Sequence, residues 1–395
     1  MKRMALAILA TLSMFAAAHA TVTLETLTWL DNGLNYNTNF NYVSGGDFSI
    51  TRAYFGVKGD IGKDWFGNNI YGRFTLDLSQ AQFGSTSVVT SVGTNGKANS
   101  TTTSLLDIPV KYSYVDWTLF TLKDNDNKLF DIALSGGLMP THFGNIAEWQ
   151  YVMPVKDAEE VFGKTMDPTA SADFGVALSG SALNSMIKYY AQELSGQSYK
   201  VILNDNQTNN NYEFLGQLQL LPLKGLEIAG SVKYFNNDNA TGYNELGWNA
   251  LVGIKNLTLG EGDSAMVIPV DFLFQVEGQN YHTTNTSAAL TNASGAITNG
   301  GTSLVYSAML GFNFFDYVTP YIRYDVGNAN TTLTNTNANT TLQNLYVSLN
   351  ITPNPNLSIR PMAEWEFSTF TNKTTFNQFY AKVELEYKVN FQIWQ

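Results

Sequence analysis

The feature that most constrains this chain is an alternation of apolar and polar residues at every second position, repeated from one end to the other. It is clearest between residues 376 and 394. Phe379, Ala381, Val383, Leu385, Tyr387, Val389, Phe391 and Ile393 fall on one parity, and Gln378, Tyr380, Lys382, Glu384, Glu386, Lys388, Asn390 and Gln392 on the other. Successive side chains of a β-strand point to opposite faces, so this pattern describes a strand with one apolar and one polar face. A strand in a soluble protein is about five or six residues long, and this run is far longer. Residues 68–79 and 356–367 behave in the same way. The rule predicts strands near 21–31, 47–60, 68–79, 107–121, 129–139, 172–181, 183–193, 211–221, 225–235, 243–255, 264–278, 303–314, 317–327, 342–352, 356–367 and 376–394, sixteen in all. Phe48 and Ile50 share parity with Arg52, which predicts a bulge or an exit from the bilayer there. Pro269 cannot donate to a strand ladder and predicts a second bulge.

The connections alternate between long and short. Long ones fall at 32–46, 80–106, 140–171, 194–210, 279–302 and 328–341, and short ones at 61–67, 122–128, 180–182, 222–224, 315–316 and 353–355. Short periplasmic turns and long extracellular loops are the signature of a barrel in a bacterial outer membrane. Only a helix or a closed sheet can cross hydrocarbon with its backbone hydrogen bonds satisfied, and a tilted strand needs roughly 9–11 residues to do so. The expected fold is therefore all-β: a transmembrane, up-and-down antiparallel β-barrel of about 16 strands. A soluble sandwich would not place charge along one face of nearly every strand. Sixteen strands leave an aqueous lumen for those charges. Trp117, Trp248, Phe312, Phe314, Tyr317, Trp365 and Phe391 lie toward strand ends, as interface aromatics do. The Asn-x-Thr triplets of the long loops read as loop composition, not as glycosylation sites.

Residues 1–20 have the three parts of an export signal: Lys2 and Arg3, an apolar run from Ala5 to Ala18, and Ala18-His19-Ala20 at the expected cleavage point. The mature chain, 21–395, is expected to be a single barrel in the outer membrane of a Gram-negative-type bacterium. Losing Lys2 and Arg3 takes the formal charge from −11 to −13, which disfavours a nucleic-acid partner. The chain has no cysteine, and outside the signal only His142 and His282 remain. No metal site or cofactor is expected on that basis, and no enzymatic nucleophile with a positioned base. His142 is expected to be an ordinary surface group of its loop.

Several stretches carry a family likeness. Phe48–Gln80 reads FSITRAYFGVKGDIGKDWFGNNIYGRFTLDLSQ, Lys111–Trp117 KYSYVDW, Leu134–Phe143 LSGGLMPTHF, and Lys188–Tyr199 KYYAQELSGQSY. Between them, an acidic segment from Glu148 runs into SADFGVALSG. These stretches resemble the phosphate-selective porin O and P family and related 16-stranded porins. The resemblance implies an outer-membrane diffusion channel, a homotrimer among outer-membrane lipids, and a third outer loop folded into the barrel as its constriction. Two departures stand out. Phosphate-selective members line the pore with many arginines, whereas this mature chain has Arg52, Arg73, Arg323 and Arg360 only. Such barrels also commonly end on an aromatic residue, and this one ends on Gln395 after Trp394.

On this reading 140–171 is the constriction loop, with Glu148, Asp157, Glu159, Glu160 and Asp167 against Lys156 and Lys164. A narrow site focuses the field of such groups, so weak cation selectivity is expected. Parity assigns Arg52, Lys58, Arg73, Asp77, Asp116, Lys188, Arg323, Asp325, Arg360, Glu364 and Glu366 to the pore lining, with Arg73/Asp77 and Arg323/Asp325 close enough to pair. The expected function is passive diffusion of small hydrophilic solutes or ions. An anion-selective porin of the phosphate type and a structural or adhesive barrel remain the alternatives.

Overall fold

The computed structural model describes residues 22–37, 42–78, 82–92, 98–107, 109–125, 127–143, 172–196, 211–237, 243–260, 262, 265–283, 290–292, 295–297, 301–313, 317–329, 340–370 and 375–394. In chain order the strands are β1 (Val22–Asn37), β2 (Tyr42–Lys63), β3 (Asn69–Asp77), β4 (Gln82–Val92), β5 (Ala98–Asp107), β6 (Val110–Asp124), β7 (Asn127–Pro140), β8 (Ala172–Ala182), β9 (Ile187–Leu194) and β10 (Asn211–Leu223). They continue as β11 (Leu226–Asn237), β12 (Tyr243–Leu259), β13 (Met266–Thr283), β14 (Leu290–Asn292), β15 (Gly295–Ile297), β16 (Gly301–Phe312), β17 (Val318–Ala329), β18 (Thr340–Asn354), β19 (Leu357–Phe370) and β20 (Thr375–Trp394). Sixteen of these form one closed barrel, each paired with its sequence neighbour, and the seam is closed by β1 against β20.

These sixteen match the strands expected from alternation one for one. Most differences lie at the long-loop end, but one short turn is also displaced. The corner expected at 180–182 belongs to β8, and the chain reverses at 183–186, where Leu183, Asn184 and Ser185 take positive φ without any glycine to signal it, so that β9 starts at Ile187 and not near 183. The connection expected at 32–46 shrinks, because β1 and β2 stay paired up to Asn37 and Tyr42. The segments 80–106 and 279–302 hold two separate hairpins, β4–β5 and β14–β15. Apolar alternation marks a strand only where one face meets a nonpolar medium. β4 and β5 read QFGSTSVVTSV and ANSTTTSLLD, rich in Ser and Thr, and give no such signal. The expected export signal, 1–20, lies outside the described residues.

Both expected bulges are present. Leu30 pairs with Ile50 and Trp29 with Arg52, so Thr51 has no opposite residue and the register steps where the parity of β2 reverses. At the second, Lys255 pairs with Asp271 and Leu257 with Ile268, leaving Pro269 and Val270 opposite Asn256 alone. The Pro269 carbonyl still accepts from Asn313 N at 2.9 Å. The short turn after β2 is fixed by Asp64. Its carboxylate accepts from Phe66 N, Asn68 N and Asn68 Nδ2, and from Trp117 Nε1 at 2.9 Å on β6. Burial raises the Asp64 pKa and these bonds lower it. The balance holds the carboxyl below its ordinary range.

The two faces of the wall invert the soluble pattern. Large apolar side chains point outward and are exposed, among them Phe174, Val176, Leu218, Val232, Leu246, Ile322, Val347 and Tyr387. Their neighbours one residue along point inward and are buried, among them Asp173, Gln217, Ser231, Lys233, Glu245, Arg323 and Glu386. An apolar exterior on a closed ladder is what lipid requires. The interior also holds an unforeseen nonpolar stripe. Ala229, Leu251, Leu273, Met309, Tyr321, Tyr346 and Met362 form one buried cluster across β11–β13 and β16–β19. Glycine allows some of the close packing: a Cβ on Gly311 would lie 2.3 Å from the Tyr321 ring.

Val232 (56% exposed) tests the assignment of faces, since Lys233 beside it is charged and buried. Val232→Arg should cost about 2–4 kcal/mol in urea-induced unfolding from lipid vesicles. A loss below about 0.5 kcal/mol, the range of ordinary surface changes, would mean that this face meets water.

Candidate functional site: the inner wall and a strap across it

Part of the inner wall's charge lies in buried pairs. Lys233 Nζ lies 2.7 Å from Glu245 Oε1 between β11 and β12, with both side chains fully enclosed. On β17 Arg323 Nε donates to Asp325 Oδ1 at 2.8 Å, and Ser307 of β16 joins the same carboxylate oxygen. Arg360 of β19 lies between Glu384 and Glu386 of β20, with an ion pair to each. Charges removed from water survive only when paired and hydrogen-bonded. Cross-strand pairs on a common face supply that arrangement without disturbing the ladder. Nearer the short-turn end, Tyr321 donates to Asp271 at 2.7 Å, and Asn313 links Asp271 to Asn256 and Thr319.

Residues assigned by parity fall as follows. Lys58, Arg73, Asp116, Lys188 and Glu366 are partly exposed, whereas Asp77, Arg323, Asp325, Arg360 and Glu364 are buried. Arg52 lies in β2 opposite Trp29. The Arg73 guanidinium donates to Thr75 Oγ1 at 3.3 Å and lies over the Tyr112 ring, while Lys111 donates to Tyr54 at 2.7 Å. The inner face of the wall is therefore not uniform. From β10 to β19 it is largely filled by its own side chains, whereas Lys58, Arg73, Asp116 and Lys188 keep access to solvent on β2, β3, β6 and β9. Glu148, Lys156, Asp157, Glu159, Glu160, Lys164 and Asp167 lie outside the described residues.

The chain leaving β7 does not continue upward with the wall. Thr141, His142 and Phe143 turn inside the barrel and cross its inner face. His142 is not the surface group expected of a loop histidine. Its ring stacks on Tyr190 of β9, with centroids 3.9 Å apart. Its N–H donates to Gln192 Oε1 at 2.8 Å, and its carbonyl accepts from Gln217 Nε2 of β10 at 2.7 Å. Gln192 Nε2 also donates to the Pro140 carbonyl at 2.9 Å. Phe143 is buried with Met139, Ala177, Leu194 and Leu215, and its ring faces the Lys233 ammonium. Gln192, Gln217 and Tyr190 were not singled out from the sequence. Their only signal there is inward parity, which they share with every polar residue of the wall.

No known family model matches the chain, and no curated protein sequence does. Solved structures do match over nearly its whole length. The anion-selective porin from Comamonas acidovorans aligns with TM-score 0.58 and 8% identity, covering 94% of this chain and 100% of that one. The outer membrane channel DcaP of Acinetobacter baumannii gives 0.56 and 11%, covering 94% and 98%. The in-vitro folded trimer form of OmpT, an outer membrane protein of Vibrio cholerae, gives 0.57 and 10%, covering 93% and 100%. At such identities the likeness establishes the fold alone, the closed β-barrel that these outer-membrane proteins share.

Removing the cation from a buried cluster should be costly. Arg360→Met, which leaves Glu384 and Glu386 facing each other, should lower stability in vesicles by about 3–5 kcal/mol. Adding Glu384→Gln and Glu386→Gln should recover part of that loss. Equal stability of the single and triple variants would show that the cluster is not electrostatically coupled.

Proposed function

We propose that the chain is a passive diffusion porin of the outer membrane of a Gram-negative-type bacterium, conducting small hydrophilic solutes or ions, and that it works as a homotrimer. The observation that carries this reading is the pairing of a closed wall, apolar outside and polar inside, with a third outer connection whose first residues turn into the lumen. A tether or adhesive barrel has no use for such an interior. An enzyme would need an activated nucleophile, and the chain has no cysteine, while His142 is occupied with Tyr190. The trimeric form of the Vibrio cholerae relative supports the oligomeric state.

The segment 140–171 is the constriction in this reading, and its Glu148, Asp157, Glu159, Glu160 and Asp167 make the pore weakly cation-selective. One observation favours a second reading, an anion-preferring pore as in the phosphate-type porins. Among the residues assigned to the pore lining by parity, those that keep solvent access on β2, β3, β6 and β9 are mostly basic, Lys58, Arg73 and Lys188 against Asp116, although Asp60 of β2 is exposed as well.

The reversal potential of purified protein in a planar bilayer under a KCl gradient separates the two. A cation-selective potential that shrinks in Glu159→Gln/Glu160→Gln is the expected result. An unchanged preference in that variant would remove the loop as filter. An anion-selective potential would transfer the role to the basic wall, and silence from inserted protein would remove the channel.

A further inference from the structure

The strap Thr141–Phe143 poses a problem of backbone hydrogen bonding. It lies inside the barrel, across strands whose own N–H and C=O groups are already committed to the ladder. A buried strap with unpartnered amides would be strongly disfavoured. Among the described residues, the His142 peptide finds its partners in two side chains: its N–H in Gln192 and its C=O in Gln217. Gln192 uses its other end on the Pro140 carbonyl. Gln217 is itself oriented, because its Oε1 accepts from Gln219 Nε2 at 2.9 Å. All three glutamines are buried, at 4%, 5% and 8% exposure.

The choice of glutamine is chemically specific. A carboxamide offers a donor and an acceptor on one side chain, whereas ionised glutamate offers acceptors only. Gln192 uses one end on the strap and the other on the Pro140 carbonyl, where β7 ends, and Gln217 uses one end on the strap and the other on Gln219. On the far side of the clamp, Phe143 is seated on Lys233, which is held by Glu245, so the strap is fixed at both its middle and its end.

We propose that Gln192 and Gln217 are the positioning residues of the pore. By clamping the His142 peptide to the inner faces of β9 and β10, they hold the root of the third outer connection against one side of the lumen and so set its free cross-section. This rests on the channel reading above. It does not depend on the sign of the ion preference, nor on the acidic residues of 140–171. Losing the two hydrogen bonds to the strap, together with the one to the Pro140 carbonyl where β7 ends, should shift the strap's attached-to-detached ratio on the order of 100-fold.

The test uses full-length protein, comparing wild type with Gln192→Ala/Gln217→Ala, with Gln217→Ala alone and with the glutamate variants singly. Single-channel records in planar bilayers should show larger open-current noise and more frequent substates in the double variant. Gln217→Glu should be as disturbed as Gln217→Ala, since both lose the donor to the His142 carbonyl. Gln192→Glu should be milder, because it keeps the acceptor for the His142 N–H. A merely space-filling role would leave both glutamate variants quiet. Heat-resistant migration of the barrel on gels should not change. Hydrogen exchange of the His142 amide gives an independent readout and should accelerate in the double variant, with or without measurable current. Quiet wild-type-like records together with unchanged exchange would overturn the clamp. A silent wild type with accelerated exchange in the variant would overturn the channel reading and keep the clamp as an anchor of the strap.

Discussion

A peptide group in hydrocarbon has no water to turn to, and the architecture follows from that constraint. A sheet meets it only by having no edge, so β20 must return to β1. Closure fixes the rest. Outward positions meet lipid and become apolar, and inward positions inherit whatever is polar. The ion pairs lie inside for the same reason that Val232 and Leu246 lie outside. Asp64 serves the constraint at a turn, where one carboxylate takes the amides the ladder cannot.

The interior is a more varied environment than a water-lined tube. From β11 to β19 the inner face carries a nonpolar stripe bordered by enclosed ion pairs, as a soluble core would. Across β2, β3, β6 and β9 the wall stays partly open, and there the charged groups keep contact with solvent. Position along the barrel's circumference, and not charge alone, separates enclosed charged residues from those that keep access to solvent. Arg323 and Arg73 both point inward, yet one is locked against Asp325 beneath other side chains and the other lies partly exposed over Tyr112.

The wall was legible because lipid and water make opposite demands on adjacent residues, and those demands leave a period of two in the chain. Even its faults were visible, near Thr51 because parity reverses there and at Pro269 because proline cannot donate to the ladder. What lay outside that contrast was not legible. The β4–β5 hairpin, rich in Ser and Thr, carries no such alternation. Leu273 and Met309 share inward parity with Gln275 and Ser307, and nothing in the pattern says that they gather into a stripe. The strap depends on side chains brought together from β7, β9 and β10 by the barrel's curvature. Gln192 and Gln217 gain their role only through His142, 50 and 75 positions away in the chain.

The seam between β1 and β20 has a kinetic side. It joins Val22 to Trp394, the first and last described residues, whereas every other ladder of the barrel joins strands that follow one another or are separated by a single hairpin, β4–β5 or β14–β15. Contacts of such separation form late, because the whole intervening chain must be ordered before they can. Until then any chain, however much of it is paired, carries two open strand edges. A protein stalled before Thr375 is therefore not a smaller barrel but an adhesive sheet. The chain's survival during biogenesis depends on keeping its first strand covered until its last one arrives.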